Sequence, residues 1–406
     1  MSKNRSPLVI IFITIFIDLV GFGIVIPVLP LYAEKFGASE TAIGLLLGAF
    51  SVMQFIFAPI LGKLSDRIGR RPVLLVSLIG TAIGFLIMGL ADALWLVFVG
   101  RIIDGITGGN ISTAQAYIAD VTPPEQRSKG MGLIGAAFGL GFIVGPVIGG
   151  LMSDISPGAP FYFAAALSAA NATALYFLLP ESRSRESRAG TRPSITGMLR
   201  ESGGWQLRAV MATYFFATVA FAMMTATYPL FTSHRFEFDS THNGYLFAFV
   251  GMLGVVIQGG LLGRLVKIFG DRALAASGTV VLAIGMFFLP ASASVSALIL
   301  ATAALAVGNS LATPTLNGLA SKSVDSAHQG SLLGVMASVA SLARIIGPIA
   351  GGILLEFDPK GEGYGRTPYW TSAAIMLLAT LLAATLSKSE EKETIVPIDE
   401  GGRERL

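Results

Sequence analysis

The sequence predicts an all-α membrane protein, with twelve transmembrane helices in two pseudo-symmetric six-helix bundles around a central cavity. Three observations carry that expectation. Of the 406 residues 53% are hydrophobic and only 13% are charged, a balance too apolar for a soluble domain with a polar shell. Apolar runs of roughly 20 residues, enough for a helix to cross a hydrocarbon core of about 30 Å, recur along the whole chain. Two stretches also repeat at nearly the same offset: "GKLSDRIGRRPVLLVS" from 62 matches "GRLVKIFGDRALAASG" from 263, and "VGPVIGG" from 144 matches "IGPIAGG" from 346.

In order, the spans cover 7–32, 41–61, 73–91, 93–119, 130–152, 160–180, 205–231, 243–263, 273–290, 296–319, 331–354 and 369–387. Short polar breaks separate them, such as "GKLSDRIGRRP" between spans 2 and 3 and "LEFDPKGEGYGRTP" between spans 11 and 12. Span 1 is too long for a cleaved signal, holds Asp18 and Pro27, and lacks a small-residue cleavage site. No period-two alternation speaks for a transmembrane barrel.

The basic residues orient the spans. With a cytoplasmic N-terminus, the inside segments (1–7, 62–72, 120–129, 181–208, 264–272, 320–330 and 388–406) hold 22 of the 28 Lys and Arg, against Lys35, Arg235, Lys360 and Arg366 outside. That bias places both termini in the cytoplasm, and an even number of spans agrees with it. The net charge of +3 then reflects topology, and no basic surface interleaved with aromatics points to nucleic acid. The chain has no Cys, which excludes disulfides, and its three His have no ligand-like spacing. No G-x-x-x-x-G-K-[ST] loop is present. We therefore expect no enzyme, no metal, no cofactor and no ATP-driven pump, but a monomer in the inner (cytoplasmic) membrane working on small molecules.

Residues 181–204, "ESRSRESRAGTRPSITGMLRESGG", break the apolar pattern and read as a cytoplasmic linker. The expected organisation is a bundle over 1–180, the linker, a second bundle over 205–387 and a tail over 388–406. Each half holds an even number of spans, so the repeats share an orientation about an axis along the membrane normal.

Twelve spans, a central loop and G-x-L-x-D-R-x-G-R-R between spans 2 and 3 resemble the major facilitator superfamily. "GLGFIVGPVIGG" on span 5 resembles the motif of its antiporter branches. "FIDLVGFGIVIPVLP" on span 1 and "GRIIDGITGG" on span 4 resemble the drug:proton antiporters, with the tetracycline exporters among them. The resemblance implies a latch at the cytoplasmic ends of spans 2 to 4, built from Gly62, Asp66, Arg67, Gly69, Arg70, Arg71 and Asp120, that closes this side when the protein faces outward. Physically, Gly62 and Gly69 would allow a tight turn and let helices 2 and 11 approach, Arg70 can reach Asp120, and Arg67 or Arg71 can face lipid phosphate. A simple positive-inside anchor would need the Arg and Lys but neither Asp66 nor the glycines. The second copy has Lys267 and no matching Asp, so a second latch should be weaker.

On span 5, Gly141, Gly145 and Gly149 recur every fourth residue beside Pro146 and Gly150, on a face where another helix can come to backbone contact. Ordinary packing and the seal against leak implied by the resemblance would use the same contacts. Gly347, Pro348, Gly351 and Gly352 repeat the pattern on span 11.

Chemistry should lie with charges inside the membrane, each costing on the order of 3 kcal/mol or more at the bilayer centre. Four stand well inside spans: Asp18, Arg101, Asp104 and Arg344. Asp18 is about 16 Å deep at 1.5 Å per residue. Arg101 and Asp104 share a face of span 4, and the stripe continues through Gly108, Ser112 and Gln115. Arg cannot carry the proton, so Asp18 is the first candidate for proton coupling and Asp104 the second; a permanently ionised Asp–Arg pair joining helices is the alternative for both. Arg344 has no acid within a turn on its own helix and is expected to bridge to Asp18 or Asp104.

The substrate cavity is expected to draw on Asp18, Gln54, Arg101, Asp104, Asn110, Gln115, Tyr228, Asn309 and Arg344. Aromatic and Met residues of spans 7 and 8 read either as a surface for flat apolar ligands or as packing. Tetracycline exporters also rely on an acidic residue in the second half, and the cores of spans 7 to 12 have none. Proton-coupled export of amphipathic molecules or drugs by alternating access is the first expectation. A proton-coupled symporter or importer of a sugar or organic acid is the alternative, and a sensor or scaffold is a third reading.

Overall fold

The computed structural model describes residues 7–122, 127–182, 204–324 and 328–386. The expected linker, apart from residues 181, 182 and 204, and the expected tail lie outside the described residues, as do both chain ends.

Among the described residues the structure is all helical. In chain order the helices are α1 (Pro7–Glu34), α2 (Glu40–Ile68), α3 (Arg70–Gly89), α4 (Leu94–Thr107), α5 (Asn110–Val121), α6 (Arg127–Ser153), α7 (Ala159–Leu178), α8 (Trp205–Phe236) and α9 (Ser240–Val256). A π turn (Ile257–Leu261) leads into α10 (Leu262–Phe288), followed by α11 (Val295–Lys322), α12 (Gln329–Glu356) and α13 (Arg366–Ala384). Eleven segments among the described residues are long and apolar enough to cross a membrane. One is α4 with α5. Another is the 49-residue stretch Ser240–Phe288, covering the expected spans 8 and 9, in which Gly270 (φ 78°, ψ 157°) leaves helical geometry and turns the chain.

Local chemistry starts several helices. Ser39 and Ser294 accept from the backbone N–H of Ala42 and Ala297, each at 3.3 Å, and Asp239 accepts from that of His242 at 2.8 Å, so each provides an N-cap. Exposed apolar residues recur at helical spacing, as with Val76, Ile79, Ile83 and Leu86 on α3, giving the helix a face suited to lipid. Large buried side chains, among them Tyr117, Phe161, Phe231 and Tyr369, fill the interior.

Among the described residues the close glycine contacts between the two chain halves lie mid-span and toward one end. Call near the end where α1 begins and far the end where it stops. At the far end Gly44 lies against the backbone of Pro348 and Gly352, and Gly150 against Ser240 and Thr241. At the near end Gly62, Gly132, Gly135, Gly259, Gly260, Gly263 and Gly334 have open space where a Cβ would stand. The expected approach of helices 2 and 11 at Gly62 is thus corrected: α2 and α12 touch at Gly44 and Gly48, and Gly62 faces a gap. Gly69, at φ 113°, does make the tight turn, with the Glu181 carboxylate where its side chain would be.

Polar contacts lock the far end. Glu356 on α12 accepts from Ser39 Oγ and the Thr41 N–H, both at 3.1 Å. His234 on α8 bonds Glu34 on α1 at 2.8 Å, and Tyr364 donates to Glu40 at 3.1 Å. Burial and the Glu40 carboxylate push the Tyr364 phenol well above its ordinary value, so it stays a donor.

Candidate functional site

Asp18 lies midway along α1, where Asn110 Nδ2 donates to its Oδ1 at 2.7 Å. Asn110 is there because span 4 is not one straight helix. It breaks at Gly108–Gly109, and the polar stripe expected to run from Arg101 to Gln115 is split between α4 and α5. Gln54, expected in the cavity, donates to the carbonyl of Gly108 at 2.9 Å and satisfies a group the break frees. Ser112 and Gln115 lie exposed on α5. Beside Asp18, Asn110 Oδ1 and Thr113 Oγ1 are buried without a hydrogen-bond partner.

Arg101 and Asp104 are 2% and 5% exposed, so they belong to packing and not to an open cavity wall. They pair with each other at 2.9 Å. The Arg101 guanidinium lies over the Phe50 ring of α2 at 4.3 Å, and Asp104 rests against Gly84 and Thr81 of α3. Arg344 meets neither acid. Its guanidinium donates to Ser341 Oγ at 3.4 Å and stands near Tyr214 on α8, and the expected bridge to Asp18 or Asp104 is absent among the described residues. Its neighbour Ile345 lies against Gly48 of α2, so α12 does approach the first half at this level, and the Arg344 side chain lies by Tyr214 of α8 instead.

Of the expected latch residues, Asp66, Arg70, Arg71 and Asp120 come together, while Arg67 lies exposed. Arg70 pairs with Asp66 at 2.8 Å and with Asp120 at 3.0 Å, and Arg71 reaches the Tyr176 carbonyl at the end of α7. These partners all belong to the first half. The second half keeps the arrangement with its charges exchanged: Asp271 stands where Arg70 does in the repeat, Lys322 where Asp120 does, and they pair at 2.5 Å. Arg272 donates to the Ala384 carbonyl at 2.8 Å, as Arg71 does to that of Tyr176. The second copy, expected to form a weaker latch because Lys267 replaces Asp66, thus keeps one ion pair with its charges exchanged.

The glycine row of α6 faces α1: Gly141 meets Leu19, Gly145 meets Val20 and Gly23, and Gly149 meets Ile24, with Pro146 also against Gly23. Gly150 turns to α9, and the Pro146 carbonyl also meets α9 at Gly244. On α12, Gly347 and Gly351 likewise face α8 while Gly352 faces α2.

A cavity of about 740 Å³ opens between α6 of the first half and α8, α9 and α11 of the second. Its walls include Phe138, Phe142, Phe221, Met224 and Phe247, and its polar groups are Thr225, Tyr228, Gln258, Thr302, Asn309 and Ser310. Tyr228 and Asn309 are thus among its lining as expected; Tyr228 is tied to Thr302 at 2.5 Å. Sequence reading missed Phe138, Phe142 and Gln258, since the first two sit in a glycine-rich run and the third on a π turn that shifts the helical register. A chain of rings leads away from the cavity: Phe138 to Phe142 (6.4 Å), Phe142 to Phe22 (6.0 Å) and Phe22 to Phe50 (5.9 Å), ending under Arg101.

Helices long enough to span a bilayer, a ligand-sized cavity between chain halves that touch mid-span and toward one end, and charges inside the spans define a membrane transporter of small molecules. The model of the Major Facilitator Superfamily matches residues 11–266 and 259–405, and the chain belongs to that family. Its relatives include the class B tetracycline resistance protein of Escherichia coli, 35% identical over 96% of this chain and 99% of that protein, and the class H protein of Pasteurella multocida, 33% identical over 94% and 96%. The multidrug resistance protein 2 of Bacillus subtilis (strain 168) is 29% identical over 88% and 91%. The human organic anion transporter MFSD10 (TETRAN) superposes with a TM-score of 0.70 at 25% identity, covering 94% of this chain and all of that one.

Proposed function

We propose that this protein exports amphipathic small molecules in exchange for protons, by alternating access across the inner membrane. The observation that carries the reading is the cavity between α6 and α8, α9 and α11, at the seam of the two chain halves and joined through Phe142 and Phe22 to the helix that holds Asp18. Relatives named for tetracycline and multidrug resistance support it. In this reading the chain makes twelve passes, with Ser240–Phe288 crossing twice around Gly270. Residues 1–180 and 205–387 are the two six-helix bundles, 181–204 the cytoplasmic linker and 388–406 the tail; the near end is cytoplasmic. The structure is then inward-open, with the lock of Glu34, His234, Glu40, Tyr364 and Glu356 closing the outer side.

Asp18 is the proton carrier in this scheme, because it is the membrane-embedded acid without an Arg partner in the contacts described here, whereas Asp104 is tied to Arg101. A carboxylate that alternates between a dry and a polar setting binds and releases a proton as the cavity changes sides. Arg101 and Asp104 hold α2, α3 and α4 together and are linked to the cavity through Phe50 and Phe22. A sugar or organic-acid importer fits less well, since such ligands need a dense set of hydrogen bonds or a charge, and the cavity walls are largely apolar. The test is reconstitution into liposomes with an imposed pH gradient and a panel of amphipathic, sugar and acid ligands: accumulation of amphipaths against their own gradient is expected, and gradient-driven movement of sugars or acids alone would overturn the reading.

A further inference from the structure

We infer that the cavity selects ligands that are uncharged when bound, flat and aromatic, oriented by hydrogen bonds at one edge from Gln258 and Ser310. The inference rests on the reading of this cavity as the transport site. Among the described residues lining it, none is Asp, Glu, Lys, Arg or His. Moving a full charge from water into such a wall without a partner is unfavourable for either sign, while an aromatic body gains from burial against rings and Met. The intramembrane charged side chains are engaged elsewhere: Asp18 by Asn110 and Arg101 by Asp104, while Arg344 stands by Tyr214 and Ser341; none of these belongs to the described lining.

Recognition is concentrated where the helix is irregular. At the π turn the Leu262 N–H bonds the Ile257 carbonyl five residues back, and π turns inside helices commonly occur at functional positions. This turn presents Gln258 and Gly259 to the cavity. One turn earlier, a side chain at Gly254 would lie 3.6 Å from Ser310 Oγ and 3.9 Å from Gln258 Nε2. The missing side chain therefore leaves a slot between a hydroxyl on α11 and an amide on the π turn. A ligand N–H, hydroxyl or carbonyl placed there can bond to both, because amide and hydroxyl each donate and accept.

The test uses purified full-length protein and three fluorescent probes of one ring system: phenylnaphthylamine, its sulfonate and its trimethylammonium derivative. The neutral probe is expected to bind at least about tenfold more tightly than either charged one, and Gln258→Ala to weaken it about three- to tenfold, the range of one hydrogen bond. Gly135→Leu, which fills open space on the cavity wall, should abolish binding of the neutral probe with little effect on folding. If the cationic or anionic probe binds within about twofold of the neutral one in a manner that Gly135→Leu blocks, the charge selection is wrong while the cavity stands. If Gly135→Leu leaves neutral binding unchanged in a folded protein, the site itself is wrong. An unchanged affinity in Gln258→Ala overturns the proposed hydrogen-bonded edge.

Discussion

At the residue scale, the four intramembrane charges divide by what each one touches. Arg101 and Asp104 neutralise each other, Asp18 has an amide, and Arg344 stays exposed near a phenol. Arg344→Gln is therefore expected to leave the pH profile of transport unchanged, checked by rates across the pH range in liposomes; an upward shift of the optimum would restore a bridge to an Asp in another state of the cycle. The existence and depth of these charges were legible in the sequence, since apolar spans make them conspicuous. Their partners were not. The i, i+3 spacing of Arg101 and Asp104 foretold a pair, but Asn110 reaches Asp18 only because span 4 breaks at two glycines, and Gln54 serves that break.

At the element scale, glycine rows decide which helices touch. Gly145 has Val20 O at 2.6 Å from a would-be Cβ, while Gly62 has open space. Gly145→Leu should separate α6 from α1 and destabilise by about 1–3 kcal/mol or more. Gly62→Ala should stabilise by up to about 1 kcal/mol, as Ala is the better helix former; thermal unfolding in detergent distinguishes the two. The row itself was legible from its spacing, yet its partner helix was not, because a small-residue face fits any neighbour. The ion pair of Asp271 and Lys322 was hidden for a different reason: the repeat conserves its geometry while exchanging its charges. Asp271→Lys and Lys322→Asp should each destabilise, and the double swap should recover most of the loss. Lys322 is 66% exposed, so the coupling in a double-mutant cycle should stay below about 1 kcal/mol.

At the scale of the whole molecule, the halves close on each other at the far end through Glu356, His234, Glu34, Glu40 and Tyr364, and stand apart at the near end. The all-helical class followed from the length of the apolar runs and their lack of period-two alternation, but which end is closed is a property of one conformation and leaves no mark in the apolar pattern. Because the chain has no Cys, one introduced at Leu47, on α2 below the lock, reports opening without background. Glu356→Ala combined with Glu34→Ala should speed maleimide labelling of that cysteine from the far side several-fold; unchanged labelling would mean that the apolar approach at Gly44 and Gly48 holds the outer side shut by itself.

The central claim is that Asp18 couples proton movement to ligand movement through the cavity between the halves. Asp18→Asn keeps the size and the hydrogen-bonding edge of the side chain and removes the titrating group. In liposomes with an acidic lumen, the unmodified protein should accumulate phenylnaphthylamine above the level of protein-free vesicles, and Asp18→Asn should fail to do so while still exchanging labelled for unlabelled probe at zero gradient. Gradient-driven accumulation by Asp18→Asn equal to that of the unmodified protein would contradict the account.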